Sequence, residues 1–437
     1  MKKVLIQFTA LLCSITLWAQ EEPITPTLQA YVQGEGIQLE KRNGYSTLIR
    51  GYIQPYFEAK DYTEAGNEEL LNRFRMRRMR VRVQGESEPL KLGYRMQFDL
   101  SGASEFDEEL NYYLLDAFIF YKPTKRITIE LGQRTTPTDN RGLRINSHTL
   151  QLVERSRVTS AFSSLREVGL FAQGRFRAGS SGAYWRPYLA ITTGDGGNLF
   201  QTNHGGFKYG GRIDYLPFGL FTNFGQFREV DMVREPAPKL VIGGHYSYNQ
   251  GMSSRRGRES GAIIYLNEDQ NESLPDYWKM GIDLMLKWRG FSALAEFVHA
   301  DASVPEDIAY RVRNDGSVAS TFLVDGIQDV ENYIKGRMMI GNGYNVQMGY
   351  LFKSGFSVDG RYCHLDAPEH SFLNNGTFYN RPNYYTLGLS KYFNRNYGFS
   401  IKSSLTFVEL NEGSNDINSN PITGNEWIFR LMTTFAF

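Results

Sequence analysis

The sequence predicts an all-β fold, a transmembrane antiparallel β-barrel of about 16 strands that follows a cleaved N-terminal signal peptide. Three observations predict the barrel. Apolar residues recur in short runs that alternate with polar ones, aromatic residues make up 14% of the chain, and short and long connections alternate between the predicted strands. Alternating strands hide a membrane surface from hydropathy plots, so the negative mean hydropathy does not exclude a membrane protein.

The first residues have the order of a secretory signal peptide. Lys2 and Lys3 precede an apolar run over 4–18, and Ala19 ends it. This charged, apolar and small-residue order is that of a signal cleaved on secretion, here after Ala19. A retained membrane anchor is the alternative, which the shortness of the run disfavours. The sequence therefore divides into a signal peptide (1–19), a periplasmic N-terminal lead-in that fits no strand well (20–45) and the transmembrane barrel (46–437).

Composition excludes several kinds of site. Cys363 is the only cysteine after the predicted signal, so the mature chain has no internal disulfide and no cysteine-based metal cluster. The 6 histidines form no metal-spaced pair, and no cofactor is expected. The formal net charge is +1, and loss of Lys2 and Lys3 leaves about −1 (+1 minus 2). Any preference for anions must therefore come from where the charges lie.

The clearest strand is predicted over 278–288. Successive side chains of a strand point to opposite faces, and here one face is apolar while the other is polar. The apolar face has Trp278, Met280, Ile282, Leu284, Leu286 and Trp288. The polar face has Lys279, Gly281, Asp283 and Lys287. Ten steps of roughly 3.3 Å, tilted near 40°, span a height of about 25 Å, so the two tryptophans are expected in the two aromatic girdles of a membrane.

The same alternation recurs along the chain. Its charged faces are too polar for a packed core but suit a water-filled lumen. The predicted strands start near residues 46, 73, 91, 112, 127, 167, 183, 207, 239, 278, 291, 345, 356, 383, 397 and 425.

The connections between these strands alternate in length. Short ones such as 85–90 and 122–126 alternate with long ones such as 59–72 and 134–166. Short turns on one side and long loops on the other predict an outer-membrane barrel with both termini in the periplasm. The connection 217–238 is an exception, since it is long but falls on the short side.

The last strand ends the chain on an aromatic residue. Its predicted outward face includes Trp427, Phe429, Phe435 and the terminal Phe437. This ending resembles the recognition signal of the outer-membrane barrel assembly machinery, which is therefore an expected partner.

Arginine is concentrated in the second predicted strand. Arg78, Arg80 and Arg82 share one face of it, and Arg77 is predicted at a bulge or near the rim. A charge that faces lipid at mid-depth costs roughly 2–4 kcal/mol, so this ladder should line the lumen. Two interpretations stay open. The arginines either pair with lumen acids such as Asp99 and Asp116, or form a track for anions, which guanidinium groups bind through paired hydrogen bonds.

Between its two end residues, the third long loop, 134–166, carries four more arginines. If this loop folds inward and narrows the channel, its arginines meet the ladder at the constriction. The alternative is an exposed basic loop that touches the lipopolysaccharide surface. The loop arginines are Arg141, Arg144, Arg155 and Arg157.

Several short motifs in this order resemble the phosphate-selective porin O and P family. They are 74–85, Met96-Gln97-Phe98-Asp99, Asp116-Ala117-Phe118, Leu131-Gly132-Gln133 with Pro137, Glu154-Arg155-Ser156, Gly194-Asp195-Gly196 with Asn198, and 212–217. The resemblance covers nearly the whole mature chain and is firmest over 46–217. It implies a sixteen-strand homotrimeric barrel whose basic lumen conducts anions such as phosphate. It also places the family's paired-arginine motif at Arg77 and Arg78, and its first-strand arginine at Arg50.

Other functions remain as alternatives. A general solute porin is one, because few lysines lie near the ladder and the second outer loop is acidic, with Glu105, Asp107, Glu108 and Glu109. An outer-membrane lipid hydrolase is another, and it would need a serine and a histidine such as His148 or His245 on the barrel exterior. A closed structural or adhesive barrel is disfavoured, because Gly93, Gly210 and Gly281 on the inner face favour an open lumen.

The expected partners follow from this interpretation. They are small anionic solutes such as phosphate, outer-membrane lipid and lipopolysaccharide, and two further copies of the chain; no nucleic acid is expected. The Gly194-Asp195-Gly196-Gly197 motif lacks the ligand spacing of a calcium loop and is predicted to be a turn.

Overall fold

A computed structural model describes residues 27–28, 31–40, 44–64, 71–102, 113–179, 182–197, 204–416 and 418–437. The predicted signal peptide and the acids of the second outer loop lie outside these residues. Sixteen long strands of the described chain form one antiparallel barrel. In chain order they are β1 Tyr45–Tyr62, β2 Leu71–Ser87, β3 Leu92–Asp99, β4 Leu114–Thr124, β5 Ile127–Thr135, β6 Arg166–Gly174, β7 Ala183–Thr192, β8 Lys208–Leu216, β9 Lys239–Asn249, β10 Asp276–Trp288, β11 Phe291–Ser303, β12 Gly341–Leu351, β13 Phe356–Asp366, β14 Asn383–Tyr392, β15 Phe399–Glu409 and β16 Glu426–Ala436.

The barrel is closed, as predicted. Each strand pairs with the next one along the chain, and β16 pairs with β1, for example through Met432 and Tyr56. The predicted starts agree with the observed ones. The largest difference is at β12, which begins at Gly341 rather than near 345.

Side chains alternate across the barrel wall. On β10, Lys279 is 1% exposed and Asp283 is 3% exposed, whereas Met280 and Ile282 are 43% and 56% exposed. The polar side chains thus point inward and the apolar ones outward. An exterior of this kind, continued by exposed apolar residues on the other strands, suits a bilayer and not water.

The first two strands contain a bulge. Their register shifts between Gln54 and Pro55, which face Arg78 and Met76, so Arg77 has no partner position in the ladder. Proline has no N–H to donate to the ladder, which favours an irregularity here. The predicted bulge at Arg77 is confirmed.

Short elements complete the structure. Three short α-helices are α1 Arg141–Arg144, α2 Arg157–Phe162 and α3 Val330–Lys335, and three 3₁₀ segments cover Ser147–Thr149, Thr222–Phe227 and Phe372–Asn374. Short strands outside the sixteen are Thr27–Leu28, Ile37–Glu40, Phe176–Ala178, Tyr265–Leu266, Tyr310–Val312, Val318–Ala319, Leu323–Val324 and Ile327–Gln328. No helix of the described chain is long and apolar enough to cross a membrane.

The lead-in contains a strand pair that the sequence analysis did not predict. Ile37–Glu40 pairs with Thr27–Leu28 and also with the first residues of β1, from Ser46 to Ile49. The pattern missed it because the segment is short. The residues of β1 with which it pairs, from Ser46 to Ile49, precede Tyr52, where the pairing of β1 with β16 ends.

The long loops pack together at one end of the barrel. Buried apolar side chains from 250–275, 304–340 and 367–382 form a core with Phe162 of α2 and residues of β11. This core includes Met252, Tyr265, Phe322, Met339 and Tyr379. Because α2 belongs to the third loop, the loop core also holds that loop in place.

Candidate functional site

The third long loop lies inside the barrel. Arg141 of α1 reaches β8 and β10 of the wall, where its Nε lies 2.7 Å from Asp283 Oδ1 and its Nη2 lies 2.9 Å from Asp214 Oδ1. Arg212 of β8 binds the same two carboxylates. The side chains of this network are fully buried, so they fix the loop to the wall.

Further contacts hold the same loop. The Glu296 carboxylate of β11 accepts hydrogen bonds from Asn140 Nδ2 at 2.9 Å and from the Gly142 backbone at 2.6 Å. The carbonyls at the end of α2 accept from Lys279 Nζ at 2.8 Å and from Arg258 Nε at 2.6 Å. Basic side chains are favoured at this end of a helix, where carbonyls lack partners.

The inner-face glycines make room for this packing. A Cβ at Gly210 would collide with the Thr138 side chain of the loop, and one at Gly281 would collide with the His245 ring. A Cβ at Gly93 would meet the Phe120 ring. Neighbouring side chains therefore fill the space directly beside these three glycines, which were predicted to favour an open lumen.

The long connection 217–238 also folds into the barrel, from the short-turn end. Its Glu229 carboxylate accepts from the Gln151 backbone at 2.6 Å and from Gln347 Nε2 at 2.9 Å. Lys287 Nζ donates to the carbonyl oxygens of Gly225 and Val230, at 2.9 and 3.0 Å. The connection is long because it reaches the third loop in the lumen, which explains the exception in the turn pattern.

Two cavities of the lumen are lined by residues that the structure describes. The loop-side cavity, about 220 Å³, is lined by the loop-end half of β1 and by Glu154 and Arg361. The turn-side cavity, about 540 Å³, is lined by Arg50 at the other half of β1 and by the terminal Phe437. Arg155 lines both cavities. This arginine of the third loop is therefore a lining residue that the two cavities share.

The turn-side cavity is strongly basic. Among its described lining residues, the acidic side chains are those of Asp116 and Glu130. The ten arginines that line it are Arg50, Arg80, Arg82, Arg95, Arg134, Arg144, Arg155, Arg166, Arg186 and Arg228. Ten arginines against two acidic side chains give the cavity a positive potential.

Some of these arginines are paired with acids. Arg80 Nε lies 2.7 Å from Asp99 Oδ2, as the sequence analysis anticipated, and Arg166 Nε lies 3.2 Å from Asp116 Oδ1. Arg144 Nη1 lies 2.9 Å from the Asp214 carboxylate, and Arg134 pairs with Glu130. For Arg80 the structure therefore favours the first of the two interpretations, in which the arginine pairs with an acid of the lumen.

Five other arginines of the cavity have no carboxylate partner in the described part of the chain. Arg82 Nε donates to Gln97 at 2.7 Å, and Arg95 Nη2 donates to Gln84 at 2.8 Å. Arg50 Nε donates to the Glu35 carbonyl at 2.9 Å. Arg186 and Arg228 lie over the rings of Phe227 and Tyr397. These five carry the unbalanced positive charge of the cavity.

The predicted arginines thus divide by position. Arg50, Arg80, Arg82, Arg144 and Arg155 line the turn-side cavity, and Arg77 and Arg155 line the loop-side cavity. Arg78 is buried against Gln54 and Glu154, and Arg141 lies in the wall network.

Part of the basic lining of the turn-side cavity was not predicted from the sequence. Arg95 lies on the polar face of an alternating strand, so that signal was present in the sequence. Arg228 lies in the connection 217–238, for which the strand pattern offers no position. Arg134 and Arg166 flank the third loop, where a contact with the lumen depends on how the loop folds.

His148 lines the same basic cavity, and its pKa is lowered there. The His148 ring in the inward loop lies 4.9 Å from the Tyr52 ring. Burial, and then the positive charge of Arg82, lowers the pKa of His148 to about 3. The imidazole is therefore neutral at physiological pH and adds no charge to the cavity.

Metal binding finds no support in the residues that the structure describes. They contain no group of three or more histidine, cysteine or acidic side chains that could hold a metal ion. At the Gly194 motif, the Gly194 carbonyl accepts from Asn249 Nδ2 at 2.8 Å and Asp195 Oδ2 accepts from Ser253 Oγ at 2.9 Å. The motif is a docked turn, as predicted.

The closed sixteen-strand barrel is similar in fold to solved outer-membrane proteins. The outer-membrane channel DcaP of Acinetobacter baumannii matches with a TM-score of 0.50 at 9% identity, over 91% of this chain and 99% of that chain. OmpT of Vibrio cholerae, in a variant that lacks loop L8, matches with a TM-score of 0.50 at 8% identity, over 90% of this chain and 100% of that chain. At these identities the likeness shows the fold alone. No protein-family model and no curated protein matches the sequence.

Proposed function

We propose that the protein is an outer-membrane porin through which small anions, phosphate-like in size and charge, diffuse passively. The observation that carries this proposal is the turn-side cavity, with ten arginines and two acids in its lining. Guanidinium groups keep their charge at every physiological pH and bind phosphate or carboxylate oxygens in pairs. A basic cavity raises the local concentration of anions and lowers that of cations.

The route runs from the loop-side cavity to the turn-side cavity past Arg155. Its guanidinium group is held by the carbonyl oxygens of Gly142 and Ile145 and by Ser147 Oγ at 3.1 Å. A fixed cation at a narrow point favours entry of an anion. Conduction also requires that the anion leave, and the ion pairs around Arg80 and Arg144 keep the total charge moderate.

The proposal includes the setting of the barrel. The apolar exterior would face outer-membrane lipid, and the long loops would face lipopolysaccharide. Both termini would lie in the periplasm, and three copies would associate after insertion by the barrel assembly machinery. Phosphate selectivity of the kind implied by the resemblance to the porin O and P family is part of the proposal.

Three alternative functions can be compared with the structure. A general solute porin would use the same path without ion preference. The lipid hydrolase receives no support, because His148 and His245, the histidines considered for it, both lie inside the barrel wall. A closed adhesive barrel would require that no path join the two cavities.

The test is the reversal potential of the refolded protein in a planar bilayer under a salt gradient. We expect an anion-side potential that falls by about half or more in an Arg82→Gln, Arg95→Gln variant, since these are two of the five unbalanced charges. Arg126→Gln is the matched control, because Arg126 is exposed on a short turn outside both cavities. A wild-type potential near zero, or an equal change in the control, would count against the proposal.

A further inference from the structure

A carboxylate of the chain itself occupies the paired arginines. Arg77 Nε lies 2.5 Å from Glu154 Oε1, and Arg78 Nη2 lies 3.0 Å from Glu154 Oε2. Both oxygens of one carboxylate are thus held by two guanidinium groups, from the bulge of β2. A phosphate or a solute carboxylate would bind the same donors in the same way.

This carboxylate lies on the solute path. Glu154 lines the loop-side cavity, and the next residue, Arg155, lines both cavities. The side chain of Glu154 is 18% exposed, against 7% for Arg77 and 1% for Arg78. A permeating ion therefore reaches the carboxylate before it reaches the guanidinium groups.

The ion pair is separable from the contacts that hold the loop. The backbone carbonyl of Glu154 accepts from Arg361 Nη1 of β13 at 2.8 Å. The preceding residue, Val153, is fully buried against Tyr56 and Met432. These contacts fix this part of the loop whatever side chain stands at position 154.

Arg78 also has a partner other than the carboxylate. Arg78 Nη1 donates to Gln54 Oε1 at 3.2 Å, and Gln54 Nε2 donates to Thr434 Oγ1 at 3.0 Å. At least one guanidinium group of the pair thus has a second, neutral anchor in the wall. Loss of the charge at position 154 would leave a preorganised anion site.

We propose that Glu154 is a specificity-determining residue, an internal anion that occupies the paired-arginine site and so keeps permeating anions from binding tightly there. The inference rests on the proposed function. It adds a reason why the arginine pair lets permeating anions pass. Burial opposes ionisation of Glu154, but Arg77 and Arg78 outweigh it and lower its pKa to about 2. The internal anion therefore stays charged across physiological pH.

The experiment is phosphate block of chloride current through refolded channels. Glu154→Gln should lower the half-blocking concentration of inorganic phosphate by about tenfold or more, because it removes a full charge that competes at hydrogen-bond distance. Adding Arg77→Gln and Arg78→Gln to that variant should abolish the gain. Glu154→Asp keeps the charge on a shorter side chain and should lie between Glu154→Gln and the wild type.

Glu426→Gln is the matched control. Glu426 lines the same cavity but pairs with Lys60 at 2.7 Å and with Arg381 at 3.5 Å. Its substitution therefore removes the same charge and leaves Arg77 and Arg78 paired with Glu154. Equal block in Glu154→Gln and Glu426→Gln, or block that survives loss of both arginines, would overturn the inference. If Glu154→Gln formed no channels, an unchanged phosphate block in Glu154→Asp would overturn it. The wild-type reversal potential tests the proposed function separately.

Discussion

The buried network around Arg141 allows a quantitative prediction. Arg141→Leu removes two charge-assisted hydrogen bonds, to Asp283 at 2.7 Å and to Asp214 at 2.9 Å, from a fully buried site. Removal of one partner from a buried ion pair costs about 3–5 kcal/mol. Here Arg212 and Arg144 remain on the two acids, so the network changes from three arginines against two acids to two against two. We therefore expect the low end of that range, about 3 kcal/mol.

The assay is equilibrium unfolding of the refolded barrel in urea, combined with single-channel recording. The free energy of unfolding should fall, and the conductance should rise or fluctuate as the third loop loses its attachment to β8 and β10. Arg175→Leu, at an exposed residue between β6 and the short strand Phe176–Ala178, is the control for loss of one arginine. A loss below about 1 kcal/mol, with unchanged conductance, would refute the argument that this network holds the loop.

Two further predictions concern packing and pH. Gly210→Val should destabilise the barrel by about 1–3 kcal/mol in thermal unfolding because its side chain collides with Thr138, whereas Gly211→Val, with open space around it, should not; equal effects would contradict this. Burial raises the pKa of Asp195 from 3.8 to about 6, so the folded state holds this proton more tightly than the unfolded one. The stability of its docked turn should therefore fall as pH rises from 3.8 to about 6 and stay level above, measured by hydrogen exchange at 250–261, and Asp195→Asn should lose this pH dependence. A pH dependence that persists in Asp195→Asn would assign the effect to another group.

The strands could be predicted because the two sides of the wall meet different solvents. Lipid outside and water or polar loops inside impose alternation on every strand, as in β10, and a short sequence window contains that signal. The bulge at Arg77 and the Arg80–Asp99 pair also lie within neighbouring strands. Local pattern was sufficient for these features.

The interior could not be predicted in the same way. Arg141 and Asp283 are 142 positions apart, and the partners of Glu229 lie in two other elements. Nothing in a window around either residue indicates such a partner. For the same reason the sequence favoured an open lumen at Gly210, where a distant loop packs. The resemblance to the porin O and P family remains a prediction about selectivity.

The strand pair of the lead-in has a consequence for the order of assembly. Asn396 Nδ2 donates to the Gln33 carbonyl at 2.6 Å, across 363 positions, and the Gly51 and Phe437 backbones exchange hydrogen bonds where β1 meets the end of the chain. Contacts between residues so far apart form late, after the intervening chain is in place. The N-terminal segment thus holds together residues beside the seam, which is where β1 pairs with β16. Protection of Gln33 from protease would report that this seam has closed.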